Sequence, residues 1–319
     1  MPKYRRIALF QNPSSGSASP EARTRVRDRL ANISESLEET EVEPGHVLSE
    51  AAKASAEAGP DLMVVAGGDG TVREVASAIV GKNVPLGIIA LGTFNNLALS
   101  LGIPHDVDAA CDLLAEGPVR QIDVGLADER HYFFEAAGVG VDAELFPIGE
   151  AVKSGRLDGV WHAIRLAIRY SQVAVKLQFD RSVAEAYSRS FRGVSPMSRK
   201  RKRFRKARTA VQLRCSFVVI GNGSYYGSNF TVCPGAVIDD GLLSIAVYRD
   251  FSKRELIRHF WSIARGHRAY NPKLEIFTAQ SVEIRSRRAL AVHVDGHPIG
   301  TTPVRFRVLP EALRVIARE

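Results

Sequence analysis

The chain has 319 residues, 45% of them hydrophobic and 24% charged, which leaves room for one large or two medium domains and excludes a disordered or fibrous protein. No apolar run approaches the roughly 18 to 20 residues of a helical membrane span. The net charge of +8 sits in one place: residues 189–208 hold ten Lys or Arg and no acid, so of totals of 43 basic and 35 acidic residues only 33 basic ones remain elsewhere, and the body is not a basic protein.

The first element is a strand over 6–10, too short an apolar run for a signal-peptide core, so a cytoplasmic location is the default expectation. A helix follows over 21–37, with Val26, Leu30, Ile33 and Leu37 along one face. The pattern then predicts a helix over 50–58, a buried strand over 61–66, a helix over 72–80, a strand over 85–91 and a helix from Asn96. Strict alternation implies a parallel sheet between helices, a three-layer α/β domain whose ligands bind beyond the carboxyl ends of the strands. After about residue 120 the pattern changes to strand-like runs over 132–136, 211–220, 242–248, 281–285, 290–294 and 304–309. Helices are expected over 157–171 and 253–265. The expected architecture is an α/β domain over 1–121, completed by 305–319, and an antiparallel, sandwich-like β domain over 122–304. Cys111, Cys215 and Cys233 show no C-x-x-C pairing and read as reduced core thiols.

The basic run over 189–208 is a local polycation joined to the β domain. It suits a solvated loop or an anionic membrane surface, which attracts each Lys or Arg by about 1 kcal/mol. Nucleic acid is the less supported partner, because only Phe204 interrupts the core of the run and single strands favour interleaved aromatics.

Chemistry gathers at three strand ends. Val64-Val65-Ala66 runs into Gly67-Gly68-Asp69-Gly70-Thr71, and Thr71 with Glu74 has the spacing of a capping box opening a helix. Glycines let main-chain N–H groups converge on an anion, and a helix N-terminus adds partial positive charge, which suits a phosphate. Asp69 among those donors implies a metal ion, water or proton as mediator. Asn12-Pro13-Ser14-Ser15-Gly16 follows the first strand, and Gly92-Thr93-Phe94-Asn95-Asn96 follows the third predicted parallel strand. Together the turns form one polar rim for a nucleotide. There is no G-x-x-x-x-G-K-[ST], no G-x-G-x-x-G after the first strand and no G-x-S-x-G elbow, which excludes a P-loop, a dinucleotide fingerprint and an elbow-type hydrolase.

These three turns, in this order and at these distances, resemble the diacylglycerol kinase catalytic domain family, which includes bacterial soluble lipid kinases and sphingosine and ceramide kinases and is distantly similar to NAD kinases. The likeness continues through Asp123-Val124-Gly125, Ala137 to Asp142, Asn222, Pro234-Gly235-Ala236, Asp239-Asp240-Gly241 and Asp295-Gly296. It implies ATP at the three turns, lipid entering between two domains, and γ-phosphate transfer to a lipid hydroxyl of diacylglycerol or a related lipid. Such transfer asks for positioning and charge neutralisation, hence Mg²⁺, with Asp69 near the phosphates. Asp240 with the carbonyls of Val237 and Leu242 resembles a second, structural metal site, although Asp239-Asp240-Gly241 also reads as an ordinary hairpin turn.

Two positions depart from the family pattern. Where the family has Asp-Gly-Glu, whose Glu is the proposed acceptor of the lipid proton, this chain has Asp295-Gly296-His297. A neutral imidazole can take that proton, with Asp295 orienting it or acting alone. Asn96 stands where the family has an aspartate and brings no charge to a metal. The resemblance therefore implies a lipid kinase at the inner membrane face, with two competing readings: a catalytically weak nucleotide- or lipid-binding relative, and a nucleic-acid-binding protein led by 189–208. The lipid's identity and the oligomeric state are not legible.

Overall fold

The computed structural model describes residues 2–41, 48–140, 172–183, 185–189, 208–223, 225–226, 230–231, 233, 235–249 and 274–318. The expected helices over 157–171 and 253–265, residues 190–207 of the basic run, and Asp142 lie outside them. The chain divides into two compact units, residues 1–124, 238–240 and 309–319 in the first and residues 125–237 and 241–308 in the second. No sequence feature assigned residues 238–240 to the first unit.

In the first unit β1 (Tyr4–Gln11), α1 (Pro20–Ile33), β2 (Ser34–Glu41), α2 (Leu48–Glu57), β3 (Leu62–Gly67), α3 (Asp69–Ile79), β4 (Leu86–Ala90), α4 (Asn96–Ser100) and α5 (Val107–Glu116) follow one another. Strand β5 (Val119–Ala127) ends in the second unit, which continues with β6 (His131–Phe133), β7 (Ala136–Gly140), β8 (Val173–Val183), β9 (Glu185–Arg189), β10 (Arg208–Cys215), β11 (Phe217–Gly221), β12 (Tyr225–Tyr226), β13 (Phe230–Thr231), β14 (Leu243–Tyr248), β15 (Leu274–Ala279), β16 (Ser281–Ser286), β17 (Ala291–Val294), β18 (His297–Thr301) and the long β19 (Val304–Ile316).

The first unit is α/β. Its strands run β2-β1-β3-β4, all parallel, with Val315 of β19 beside Leu86 of β4. Strands β3 and β4 are buried at every residue, as continuous apolar runs must be when helices cover both faces. Ser19 caps α1 through its hydroxyl on the Ala22 amide, with proline following it. The helix stops at Ile33, four residues short of the sequence expectation, and Ser34 turns into extended backbone (φ −128°, ψ 153°). Ser34 to Glu41 carries helix-prone Glu and Leu, yet it pairs with β1 from Tyr4–Ser34 to Gln11–Glu41. Tertiary pairing overrides propensity there, on a strand whose exposed charges blunt an open edge. Helix α5 also escaped the sequence reading; its signal was Asp106, whose carboxylate caps the Ala109 amide ahead of Ala110, Cys111 and Leu114.

Among the described residues, the second unit is built from antiparallel pairs. One sheet has the order β18-β17-β7-β11-β14-β15-β9; β10, β8, β16 and residues 304–308 of β19 form a second, and β12 pairs with β13 in a small third. The first two contribute to one core, in which Leu177, Phe179, Ile284 and Phe306 meet Val218, Ile245 and Phe277; the Phe179 and Phe277 rings are 5.6 Å apart. The single strand expected over 211–220 is two strands in different sheets. The change falls at buried Ser216, whose amide bonds Tyr248 O at 2.7 Å. Alternation through Val211, Leu213 and Cys215 gives way there to the wholly buried β11.

All three cysteines are buried and stand as reduced thiols. Burial pushes the Cys215 thiol up to about 12 and the Cys111 thiol up to about 11 from 9.0. Thiols held protonated only in the fold add stability that is complete below about pH 9 and is lost as pH rises through about 11 to 12. Alkylation with iodoacetamide at pH 8 is therefore expected to label no cysteine in the native protein and all three in denaturant. Rapid native labelling of Cys111 or Cys215 would contradict this burial.

Candidate active site

The turns after β1, β3 and β4 interlock within the first unit. Asn12 anchors the first of them: its amide bonds Ala66 O at 3.0 Å, its Nδ2 donates to the Thr71 hydroxyl at 2.9 Å, and its Oδ1 accepts the Ser14 amide at 2.9 Å. The Ser15 hydroxyl accepts the Gly68 amide at 3.2 Å, and the Leu91 amide bonds Gly67 O at 3.0 Å. A Cβ built on Gly16 would meet Thr93 Oγ1 at 3.2 Å, and one on Gly92 would lie 2.4 Å from Gly68 Cα. Glycine is required at 92 because two backbones touch there. Pro13, Ser14, Gly16 and Thr93 are exposed on this rim.

Several amides expected to face a ligand instead fasten the turns together. Gly68 N is taken by Ser15, and Gly92 N by Asn95 Oδ1 at 2.9 Å. Asn95 returns its own Nδ2 to Gly92 O at 2.8 Å from a left-handed conformation (φ 54°) that asparagine tolerates. Helix α3 begins earlier than expected, and Gly68, not Thr71, is its N-cap. The capping box is absent because Thr71 lies inside the first turn with its hydroxyl committed to Asn12. Glu74 sits half-buried in the next turn. No side chain caps α3, and its main-chain ladder opens with Val72 N on Gly68 O. The amides of Gly70 and Thr71 therefore point out of the helix end, where an anion gains most.

Asp69 bridges two turns, its Oδ2 accepting the Asn95 amide at 2.9 Å. Next to Asn95, the Asn96 side chain is 2% exposed and its Oδ1 has no hydrogen-bond partner. A carboxylate and a buried amide oxygen on adjoining turns are hard donors, and Mg²⁺ takes one or two carboxylates with substrate phosphates and water completing its shell. The donor set thus fits magnesium although it carries one charge fewer than an Asp–Asp pair. Among the described residues no three His, Cys, Asp or Glu side chains cluster as a metal site.

In the second unit Asp295 is a structural clamp. Its Oδ2 accepts the Phe134 amide at 2.8 Å, its Oδ1 accepts the Glu135 and Ala136 amides at 3.0 Å each, and its own amide bonds Ala136 O at 2.9 Å. The carboxylate does not orient His297 as expected: the His297 Nδ1 instead meets the Asp295 main-chain oxygen at 3.1 Å, and the ring is exposed. The sequence reading passed over His293, 0% exposed, whose Nδ1 accepts the Gly296 amide at 3.2 Å and shapes the same hairpin from β17. Asn222 supports the clamp, donating its Nδ2 to Phe134 O and its amide to Glu135 O.

Val237, Asp240 and Leu242 follow one another along the turn into β14, with Val237 and Asp240 exposed and Gly241 at φ 72°. Asp239 beside them ion-pairs with Arg120 at 2.8 Å, and Ile238 O accepts the amide of buried Asp123 at 2.8 Å.

Residues 6–127 match the family described as the diacylglycerol kinase catalytic domain, and residues 137–317 match the YegS C-terminal NAD kinase beta sandwich-like domain. A "Probable lipid kinase YegS-like" of Citrobacter koseri is 28% identical over 260 residues, 80% of this chain and 78% of that protein. A "Diacylglycerol kinase" of Staphylococcus saprophyticus is 25% identical over 319 residues, 98% of this chain and 95% of that protein. Among solved structures, a diacylglycerol kinase from Bacillus anthracis shares the fold, with a TM-score of 0.72 and 20% identity over 100% of this chain and 98% of that one.

Proposed function

The chain belongs to the diacylglycerol kinase catalytic domain family, and from that premise we propose that it is an ATP-dependent kinase moving the γ-phosphate to the hydroxyl of diacylglycerol or a related lipid. The observation that carries the reading is the interlocking of the turns at 12–16, 67–71 and 92–96 around the open N-terminus of α3. The hydroxyl-bearing and glycine-rich turns hold the triphosphate, with the amides of Gly70 and Thr71 directed at its oxygens. Asp69 and Asn96 are the residues to hold Mg²⁺, which when bound supplies neutralisation of phosphate charge. Val237, Asp240 and Leu242 are proposed for a second, structural cation, the turn being braced by the Arg120–Asp239 pair.

In the transfer a bond forms between the lipid hydroxyl oxygen and the γ-phosphorus, and the bond from that phosphorus to the β,γ-bridging oxygen breaks. The hydroxyl proton goes to the exposed His297 imidazole, while Asp295 holds the hairpin that presents it. A lipid substrate is met at a membrane surface, and the basic run over 189–208 suits an anionic one.

The test is incubation with γ-labelled ATP, magnesium and mixed micelles of a lipid panel. Labelled lipid is expected, and Asp69→Asn should reduce labelling by at least about 100-fold, the scale of one lost electrostatic contact to a transition state. Nucleotide binding with no labelled lipid across the panel would instead favour a binding protein, the reading prompted by Asn96 and His297 standing where the family has carboxylates.

A further inference from the structure

The second unit carries a basic surface away from every residue assigned above. In the sheet portion β10-β8-β16, side chains over residues 174–180, 211–215 and 282–285 alternate between the core and the outer face: Val175, Leu177, Leu213 and Ile284 are buried, whereas Lys176, Gln212, Arg214 and Arg285 are exposed. Register places Arg285 beside Lys176 and Lys176 beside Gln212, with Arg214 beside Ala174 one step along. These outward side chains form one continuous row pattern about 5 Å from strand to strand. The turn leaving β16 adds exposed Arg287 and Arg288.

Acids balance only part of this charge: exposed Asp180 stands on the same outward row of β8 as Lys176. Glu283 pairs with Arg285 at 2.7 Å. Lys176, Arg214, Arg287 and Arg288 enter no ion pair among the described residues. Among the described residues the row ends at β10, an edge strand, and by sequence the ten Lys and Arg of 189–208 lead into β10.

We propose that the exposed face of β10, β8 and β16 is the surface by which the protein lies on an anionic bilayer. The occupant follows from charge and shape. A sheet face with uncompensated Lys and Arg, small Ala174 between them and no aromatic side chain offers a planar field of positive charge, which a layer of anionic headgroups complements. It offers no stacking platform for the bases of a single-stranded nucleic acid. The inference rests on the lipid-kinase reading only for the reason a bilayer is visited; the surface itself is measured without nucleotide.

The experiment compares the full chain with a Lys176→Gln, Arg214→Gln, Arg287→Gln variant in sedimentation with vesicles of phosphatidylcholine containing 0 or about 30% phosphatidylglycerol, at an ionic strength near 0.1 M where the Debye length is about 10 Å. Each basic residue near such a surface contributes roughly fivefold in partitioning, so the variant should bind the anionic vesicles about 100-fold more weakly. Melting temperature and phosphate transfer to detergent-dispersed lipid should stay at the level of the unaltered chain. A control variant, Arg5→Gln, Arg27→Gln, Lys53→Gln, removes the same charge from exposed positions of the first unit and should bind vesicles nearly as the parent does. Equal losses in both variants would show a net-charge effect and overturn the proposal. So would unchanged vesicle binding in the first variant, or a loss confined to polynucleotide binding. Absence of lipid phosphorylation with intact, face-dependent vesicle binding would refute the kinase reading and leave this surface standing.

Discussion

Replacing Gly92 with alanine is expected to weaken ATP binding by on the order of 100-fold while the protein still folds, the scale on which displacing a site by about 1 Å is felt. The added Cβ would lie 2.4 Å from Gly68 Cα and 2.7 Å from Asn95 Oδ1. Neither neighbour can yield cheaply. Gly68 is the N-cap of α3, and Asn95 Oδ1 holds the Gly92 amide. The backbones must part, which pulls the third turn from the second and loosens the Asp69–Asn95 bridge. Overpacking of this kind costs about 1 to 3 kcal/mol of stability, so melting temperature should fall modestly while binding collapses. Gly68→Ala provides the graded comparison. Its Cβ would stand 3.2 Å from Gly92 Cα, a contact relieved by a few tenths of an ångström, and the loss should be smaller. Fluorescent-nucleotide titration in parallel with thermal melts checks both; equal affinity in Gly92→Ala and the parent would contradict the proposed role of the interlocked turns.

Asp295→Ala and His297→Ala should separate architecture from chemistry. Asp295 satisfies the amides of Phe134, Glu135 and Ala136, and these residues are 1%, 7% and 0% exposed. Truncation takes the carboxylate away from three donors on buried residues. At about 1 to 3 kcal/mol for each stranded buried group the variant should lose about 3 kcal/mol or more, which lowers the melting temperature by at least about 6 °C in a domain of this size. A lost rate in Asp295→Ala therefore says nothing about proton transfer by itself. His297 is exposed, and its imidazole touches only the main-chain oxygen of Asp295 among the described residues. His297→Ala should melt with the parent and transfer phosphate about 100- to 10,000-fold more slowly, the usual contribution of a general base. An Asp295→Ala variant of normal stability and no activity, beside a fully active His297→Ala, would move the base to the carboxylate.

The parallel unit was legible because its signals are local. Leu62 to Gly67 and Leu86 to Ala90 are unbroken apolar runs that end in glycine-bearing turns, and both strands and turns are present. What failed there was a competition no single chain segment records. Ser34 to Glu41 has the composition of a helix and becomes a strand because β1 offers it an edge. In the second unit, short-range alternation announced strands without saying which sheet each joins, so the break at Ser216 stayed hidden. The site was legible in membership and less so in role. Asn12, Ser15, Gly68, Asp69, Thr71, Gly92 and Asn95 do come together. Their amides and side chains serve each other first, so the proposed phosphate contacts fall to the amides of Gly70 and Thr71 at the start of α3. Asp295 carries no sequence mark of its clamp; only the position of the Phe134–Ala136 amides reveals it.

Hydrogen–deuterium exchange on the intact chain, with and without ATP and magnesium, tests the account at its centre. Nucleotide should slow exchange together at residues 14–16, 69–71 and 92–96, three segments far apart in sequence, and leave the outer helix α1 unchanged. Protection absent from all three turns, or confined to one of them, would contradict a triphosphate held where they meet.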